Sequence, residues 1–209
     1  MEPYEILARL AEHGVPPEGE VALKMSVGLE DTLQRFKEET LSFIAGGGAE
    51  LRFCYGPYGR GKTHLLKSLQ ALAKSLGFVT AYIDCRAEQS PFSSLEETYR
   101  MIVSNIEHPN EDYGMGIEAV VRGCLASSSD QESTIKRLRS ESRLELGFKN
   151  LVLAHVQAIL DSRDIDLQND LETLLKASTS FRVNINRLYQ RYSIIPRPLG
   201  KLSKRNANL

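Results

Sequence analysis

The eight residues Gly56-Pro57-Tyr58-Gly59-Arg60-Gly61-Lys62-Thr63 constrain this chain more than any other stretch of it. They match the pattern GxxxxGK[ST] at every fixed position, and each fixed position has a physical reason. Glycines let the backbone wrap closely, so that successive N–H groups face phosphate oxygens. The helix expected to follow presents its unpaired N-terminal donors and the positive end of its dipole to the same anion. Lys62 is long enough to reach the β and γ phosphates, and Thr63 carries a hydroxyl able to ligate Mg2+. The expected ligand is therefore a nucleoside triphosphate, ATP with magnesium, held by Gly56 through Thr63. His64 falls in the first helical turn beside the phosphates, where a histidine serves either as a general base or as a local packing or capping group. Arg60 either touches phosphate or stands in solvent.

The sequence around the loop gives it the expected setting. Leu51 to Tyr55 is a short apolar run and reads as a buried strand leading into the loop. Beyond it, Leu65, Leu66, Leu69, Leu72 and Ala73 keep helical spacing over Lys62 to Ser75, with Gly77 just past the helix end. Phe78 to Asp84 is β-branched and aromatic and reads as a second strand. Strand, loop, helix and strand make a βαβ unit, so the expected class is α/β. Upstream, helices are expected at 4–13 and at 29–45, the second closed by Gly46, Gly47 and Gly48. Downstream the pattern turns helical. Ser94 and Glu97 make a capping box for a helix over 95–106, and further helices are expected near 117–126, 134–146, 148–162 and 167–178. Loops are expected at 127–129 and 108–116. The resulting division is a helical segment at 1–48, a phosphate-loop core at 49–92, a helical region at 93–180 and a basic tail at 181–209.

Charge and composition narrow the reading further. The formal charge of -1 splits into -9 over residues 1–172 and +8 beyond Glu172, where no acidic residue occurs. Phe181, Tyr189 and Tyr192 are interleaved with Arg182, Arg187, Arg191, Arg197, Lys201, Lys204 and Arg205. That composition can neutralise phosphates and stack bases, so nucleic acid is a candidate partner for the tail. The bland alternative is a strand face at Phe181, Val183 and Ile185 followed by a solvated basic helix. No run of about 18 apolar residues and no leader pattern occurs, so a cytoplasmic protein without a membrane span is expected. Cys54, Cys85 and Cys124 show no paired spacing and are expected to be small buried apolar residues.

Hydrolysis of ATP normally needs an acidic residue at the end of an apolar strand to hold magnesium and orient water. Asp84, after Ala81-Tyr82-Ile83, has the right composition but ends the first strand after the loop helix, and it reads equally as a structural strand end. Ala158 to Asp161 keeps helical spacing. No catalytic residue is assigned.

The chain resembles the P-loop ATP-binding proteins of bacteriophage exclusion (BREX) defence systems. The resemblance rests on Gly14-Val15-Pro16-Pro17, Ser26-Val27-Gly28, the run GPYGRGKTHLL from Gly56 to Leu66, Phe78 to Asp84, Phe92 to Tyr99, Ser180-Phe181-Arg182 and Leu188-Tyr189. It spans most of the chain to about residue 192. Such proteins are similar to AAA+ ATPases, which implies a P-loop NTPase fold in the N-terminal half with a helical C-terminal subdomain. It also implies that Val27 and Gly28 lie against the adenine. The resemblance further implies protein partners within a defence system, room for an oligomer, and a chain that stops before the acidic metal strand of its relatives. In that case the strands at 51–55 and 78–84 would lack the neighbours that normally lie between them. Three functions stay open at this point: an ATPase subunit, a nucleotide-dependent adaptor that does not hydrolyse ATP, and a small-molecule kinase. The roughly 50 residues before the loop argue against the kinase.

Overall fold

A computed structural model of the chain describes residues 3–13, 19–85, 94–142, 144, 146–161 and 165–176. The readings at Gly14 to Pro17, at Phe92 and over the basic tail from Ser180 onward lie outside the described residues. The chain divides into two compact units, Met1–Thr80 and Ala81–Leu209.

The first unit is helical. It holds α1 (Pro3–His13), α2 (Gly19–Lys24), α3 (Glu30–Arg35), a π-helical stretch (Phe36–Leu41), α4 (Ser42–Ala45) and α5 (Lys62–Ser75). From Glu30 to Ala45 the backbone stays helical through the junctions at Phe36 and Ser42, so the helix expected at 29–45 forms with a wider turn inside it. The widened turn buries Thr40 and Leu41. Its end is a Schellman motif: Gly47 donates to the Ile44 carbonyl at 2.9 Å and Gly48 to the Phe43 carbonyl at 3.0 Å. Gly47 adopts φ +88, a conformation that only glycine takes without strain. The loop helix α5 closes in the same way, with Gly77 bonded to Lys74 and Phe78 to Ala73. Small side chains form the centre of this unit. Ala22 of α2 and Ser68, Ala71 and Ala73 of α5 are buried, and α2 packs against α5.

Three expectations fail here. Leu51 to Tyr55 is not a strand and is not buried: it runs without regular structure, and Leu51, Phe53 and Tyr55 are 77%, 83% and 93% exposed. A strand's stability comes from a neighbour that takes up its main-chain groups, and among the described residues no strand lies beside this segment. The βαβ unit is therefore absent from the described fold. The second expected strand, Phe78 to Asp84, shrinks to β1 (Thr80–Ala81), whose partner is β2 (Ile106–Glu107). The cysteine expectation fails with it, since Cys54, Cys85 and Cys124 are all exposed. Cys54 lies in the unpaired segment, which explains its exposure.

The second unit packs α6 (Leu95–Asn105), α7 (Ile117–Ala126), α8 (Gln131–Ser140), α9 (Leu146–Asp161) and α10 (Ile165–Leu175). A 3-10 turn at Glu111–Tyr113 sits inside the expected loop 108–116. Ser94 caps α6 by accepting from the Glu97 N–H at 3.0 Å, and Asp130 caps α8 by accepting from Glu132 and Ser133. Leu167, Leu171 and Leu175 recur one turn apart on α10 and close completely against Leu151, Ala154 and Ala158 of α9. Each such leucine contributes about 1.5–3 kcal/mol by leaving water. Tyr99 of α6 donates its hydroxyl to the Leu175 carbonyl at 2.6 Å, and burial pushes that phenol up to about 12.

One polar group inside this core has no partner. His155 of α9 is fully buried, and neither ring nitrogen has a hydrogen bond. Around it stand Glu172, Arg122 and Lys176, the last bonded to Glu118 at 3.0 Å and to Glu172 at 2.8 Å. Burial lowers the imidazole from 6.5 to about 4. The unfolded chain therefore takes up a proton that the folded chain refuses, so the stability is complete above pH 6.5 and is lost as the pH falls toward 4. Between about pH 7 and about pH 4, the native chain should lose about 3 kcal/mol more than His155→Leu does. Denaturant unfolding of both proteins at the two pH values checks this, and equal losses would contradict it.

Candidate functional site

The phosphate loop takes its shape from two glycines. Gly59 and Gly61 adopt φ +79 and +77, where a side chain would be strained, and a Cβ at either would meet nothing within 4 Å. The loop is thus fixed by conformation and stays open on its outer side. Gly61 stands at the N-cap of α5, and no side chain caps that end. The first N–H groups of a 14-residue helix are left for an external acceptor. Lys62, the first residue of α5, turns its ammonium back onto the loop, donating to the Gly56 carbonyl at 2.9 Å and the Pro57 carbonyl at 2.8 Å. An ammonium held only by neutral carbonyls can exchange them for phosphate oxygens, which bind it more strongly. Pro57, Tyr58, Arg60 and Thr63 are exposed around it.

Beside the loop lies a cleft of about 480 Å³, within the range of small-molecule sites. Arg60, Gly61, Lys62 and His64 line it together with Met25, Val27 and Leu29. Cys54, Tyr55 and Leu65 complete the described lining. Of the residues singled out for the phosphates, Arg60, Gly61, Lys62 and His64 therefore share a cavity with Val27, singled out for the base, whereas Gly56, Pro57, Tyr58, Gly59 and Thr63 are not among its described lining. Gly28 is not among the lining residues. It turns the chain at φ +76 and donates its N–H to Glu30 at 3.3 Å. No acidic side chain lines the cleft among the described residues. Asp84 lies in the second unit, exposed, in the coil after β1.

His64 is tied down. Its Nε2 lies 3.1 Å from the Ser26 hydroxyl, and Ser26 also stands 2.9 Å from the Ser68 hydroxyl. Ser26 donates to the Ala22 carbonyl at 2.6 Å, which satisfies one of the open carbonyls at the end of α2. A hydroxyl has one proton, so with that proton on Ala22 the Ser26 oxygen accepts from His64, and Nε2 carries the hydrogen. Ser68 donates to the His64 carbonyl at 2.9 Å. Nε2 is thereby committed to Ser26, which favours the local structural role of His64 over that of a general base. Reasoning from sequence gave Ser26 and Ser68 no role. Two signals could have found them: Ser26 directly precedes Val27-Gly28, and Ser68 stands four residues after His64, on the same helix face.

No helix among the described residues is long and apolar enough to cross a membrane. No curated protein and no solved structure matches the chain. The family described as BREX system ATP-binding protein BrxC/D matches residues 2–185, a span that includes Ser26, Val27, the whole loop and His64. A match over that much of its length establishes that the chain belongs to the family of BREX system ATP-binding proteins BrxC/D.

Proposed function

We propose that the first unit binds ATP with magnesium in the cleft between Val27 and the phosphate loop. One observation carries the reading: the loop's free helix N-terminus and Lys62 open onto the same cavity as Val27. The triphosphate would lie along Gly56 to Thr63, with the loop N–H groups and the start of α5 toward its oxygens. Lys62 would leave the Gly56 and Pro57 carbonyls for the β and γ phosphates, and the Thr63 hydroxyl would hold the metal. Magnesium would supply charge neutralisation across the phosphates. The base would rest in the apolar part of the cleft, at Met25, Val27 and Leu29.

The lining also bears on turnover. Positioning and charge are supplied, but no carboxylate stands in the described cleft to orient a water. This favours a protein that binds ATP and uses the bound state to engage partners of its defence system, over one that hydrolyses ATP unaided.

Lys62→Ala should weaken ATP binding by roughly 10- to 100-fold in a calorimetric titration, because a charge-assisted contact to the phosphates is lost. Thr63→Ala should weaken binding only when magnesium is present. Unchanged ATP affinity in Lys62→Ala would remove the loop from the site. The pure chain should also release phosphate from ATP no faster than its Lys62→Ala variant in a steady-state assay. Multiple turnover that Lys62→Ala abolishes would show that a hydrolytic group has been overlooked.

A further inference from the structure

We propose that Ser26 and His64 form a positioning pair that sets the distance between the base side and the phosphate side of the cleft. The inference rests on the nucleotide-binding reading of that cleft and goes beyond it, because Ser26 is not among the lining residues and acts through its bond to His64.

The turn that carries Val27 lies between α2 and α3, which both meet α5, and has few contacts of its own. Val27 is 90% exposed, so its side chain gains almost no packing of its own. Gly28 adds only one long bond to the neighbouring Glu30. Ser26, directly before them, is the anchored residue of the turn. Its hydroxyl meets the end of its own helix at Ala22 and, 38 positions along the chain, the side chain of His64. His64 sits one residue after Thr63, on the helix whose N-terminus and Lys62 face the phosphate end of the cleft. A single hydrogen bond therefore joins the turn before Val27 to the first turn of α5. Ser68, fully buried, flanks that half-buried bond and donates to the His64 carbonyl, which holds the start of α5 against it.

The consequence is a division of labour. The loop and Lys62 grip phosphate whether or not the pair is intact, since α5 carries them as one piece. A ligand that has both a base and a triphosphate must meet both sides of the cleft at once. Fixing their separation in advance spares the ligand the cost of ordering the turn. Breaking the pair should thus weaken ATP while sparing inorganic tripolyphosphate.

The test uses the full chain with Ser26→Ala, His64→Leu and the double variant, each titrated with ATP and with tripolyphosphate in the presence of magnesium. Thermal melts accompany each titration; if Ser26→Ala does not fold, Ser26→Cys, close in size but a far weaker hydrogen-bonding group, carries the comparison. The native chain should prefer ATP over tripolyphosphate. Each single variant should bind ATP about 3- to 10-fold more weakly, and Ser26→Ala, which alters no lining residue, should leave tripolyphosphate affinity unchanged within about twofold. The double variant should lose no more than either single one, as expected of two groups acting through one bond. Equal weakening of both ligands in the Ser26 variant would show a merely structural role and overturn the inference, as would unchanged ATP affinity or additive losses. A native chain that binds tripolyphosphate as tightly as ATP overturns the inference but keeps the phosphate loop. One that binds neither overturns the cleft reading as well.

Discussion

The first unit depends on the close approach of α2 to α5. Ala22 of α2 and Ser68 of α5 are small and fully buried, which lets two helix backbones come together without large side chains between them. The approach is what brings Ser26 within reach of His64 and Ser68, and so what places the turn at Val27 beside the start of α5. It also fixes where the loop helix begins. With the helix held along its body, its N-terminus can stay without a side-chain cap, because the packing rather than the cap stabilises it. A free helix end behind a glycine loop is what the proposed phosphate site is built on.

The second unit is built on a different balance. Its helices close over a leucine stripe, which supplies ample apolar burial, and the surplus tolerates a buried imidazole with no partner. Glu118, Glu172 and Lys176 form a partly buried ionic cluster nearby. Burial pushes Glu118 up, whereas at Glu172 burial acts upward and is outweighed by the Lys176 ammonium, which holds that carboxyl low. Such a cluster adds little net stability, and through Lys176 it ties Glu118 of α7 to Glu172 of α10.

What could be read from the sequence follows from the range of the interactions involved. Helical periodicity and capping are local, so 117–126 and α5, with its Gly77 end, were legible to the residue. The capping bond from Glu97 to Ser94 was legible for the same reason. The glycine conformations of the loop likewise follow from its motif. Strand formation is not local. Leu51 to Tyr55 has the composition of a strand, but a strand needs a neighbour, and composition says nothing about whether one is there. The same gap misplaced Cys54. α2 was missed because six residues are too few to show a period. The bond between Ser26 and His64 joins positions far apart in the chain, and only the fold brings them together.

The central claim is that one cleft of the first unit takes both ends of ATP. Amide hydrogen exchange on the full chain, with and without magnesium and ATP, tests it most directly because it reads both sides of the cleft at once. The account predicts slower exchange at residues 26–28 and at 56–65, with 146–161 unchanged. Exchange that is unaltered at 56–65, or slowed only within the second unit, would contradict it.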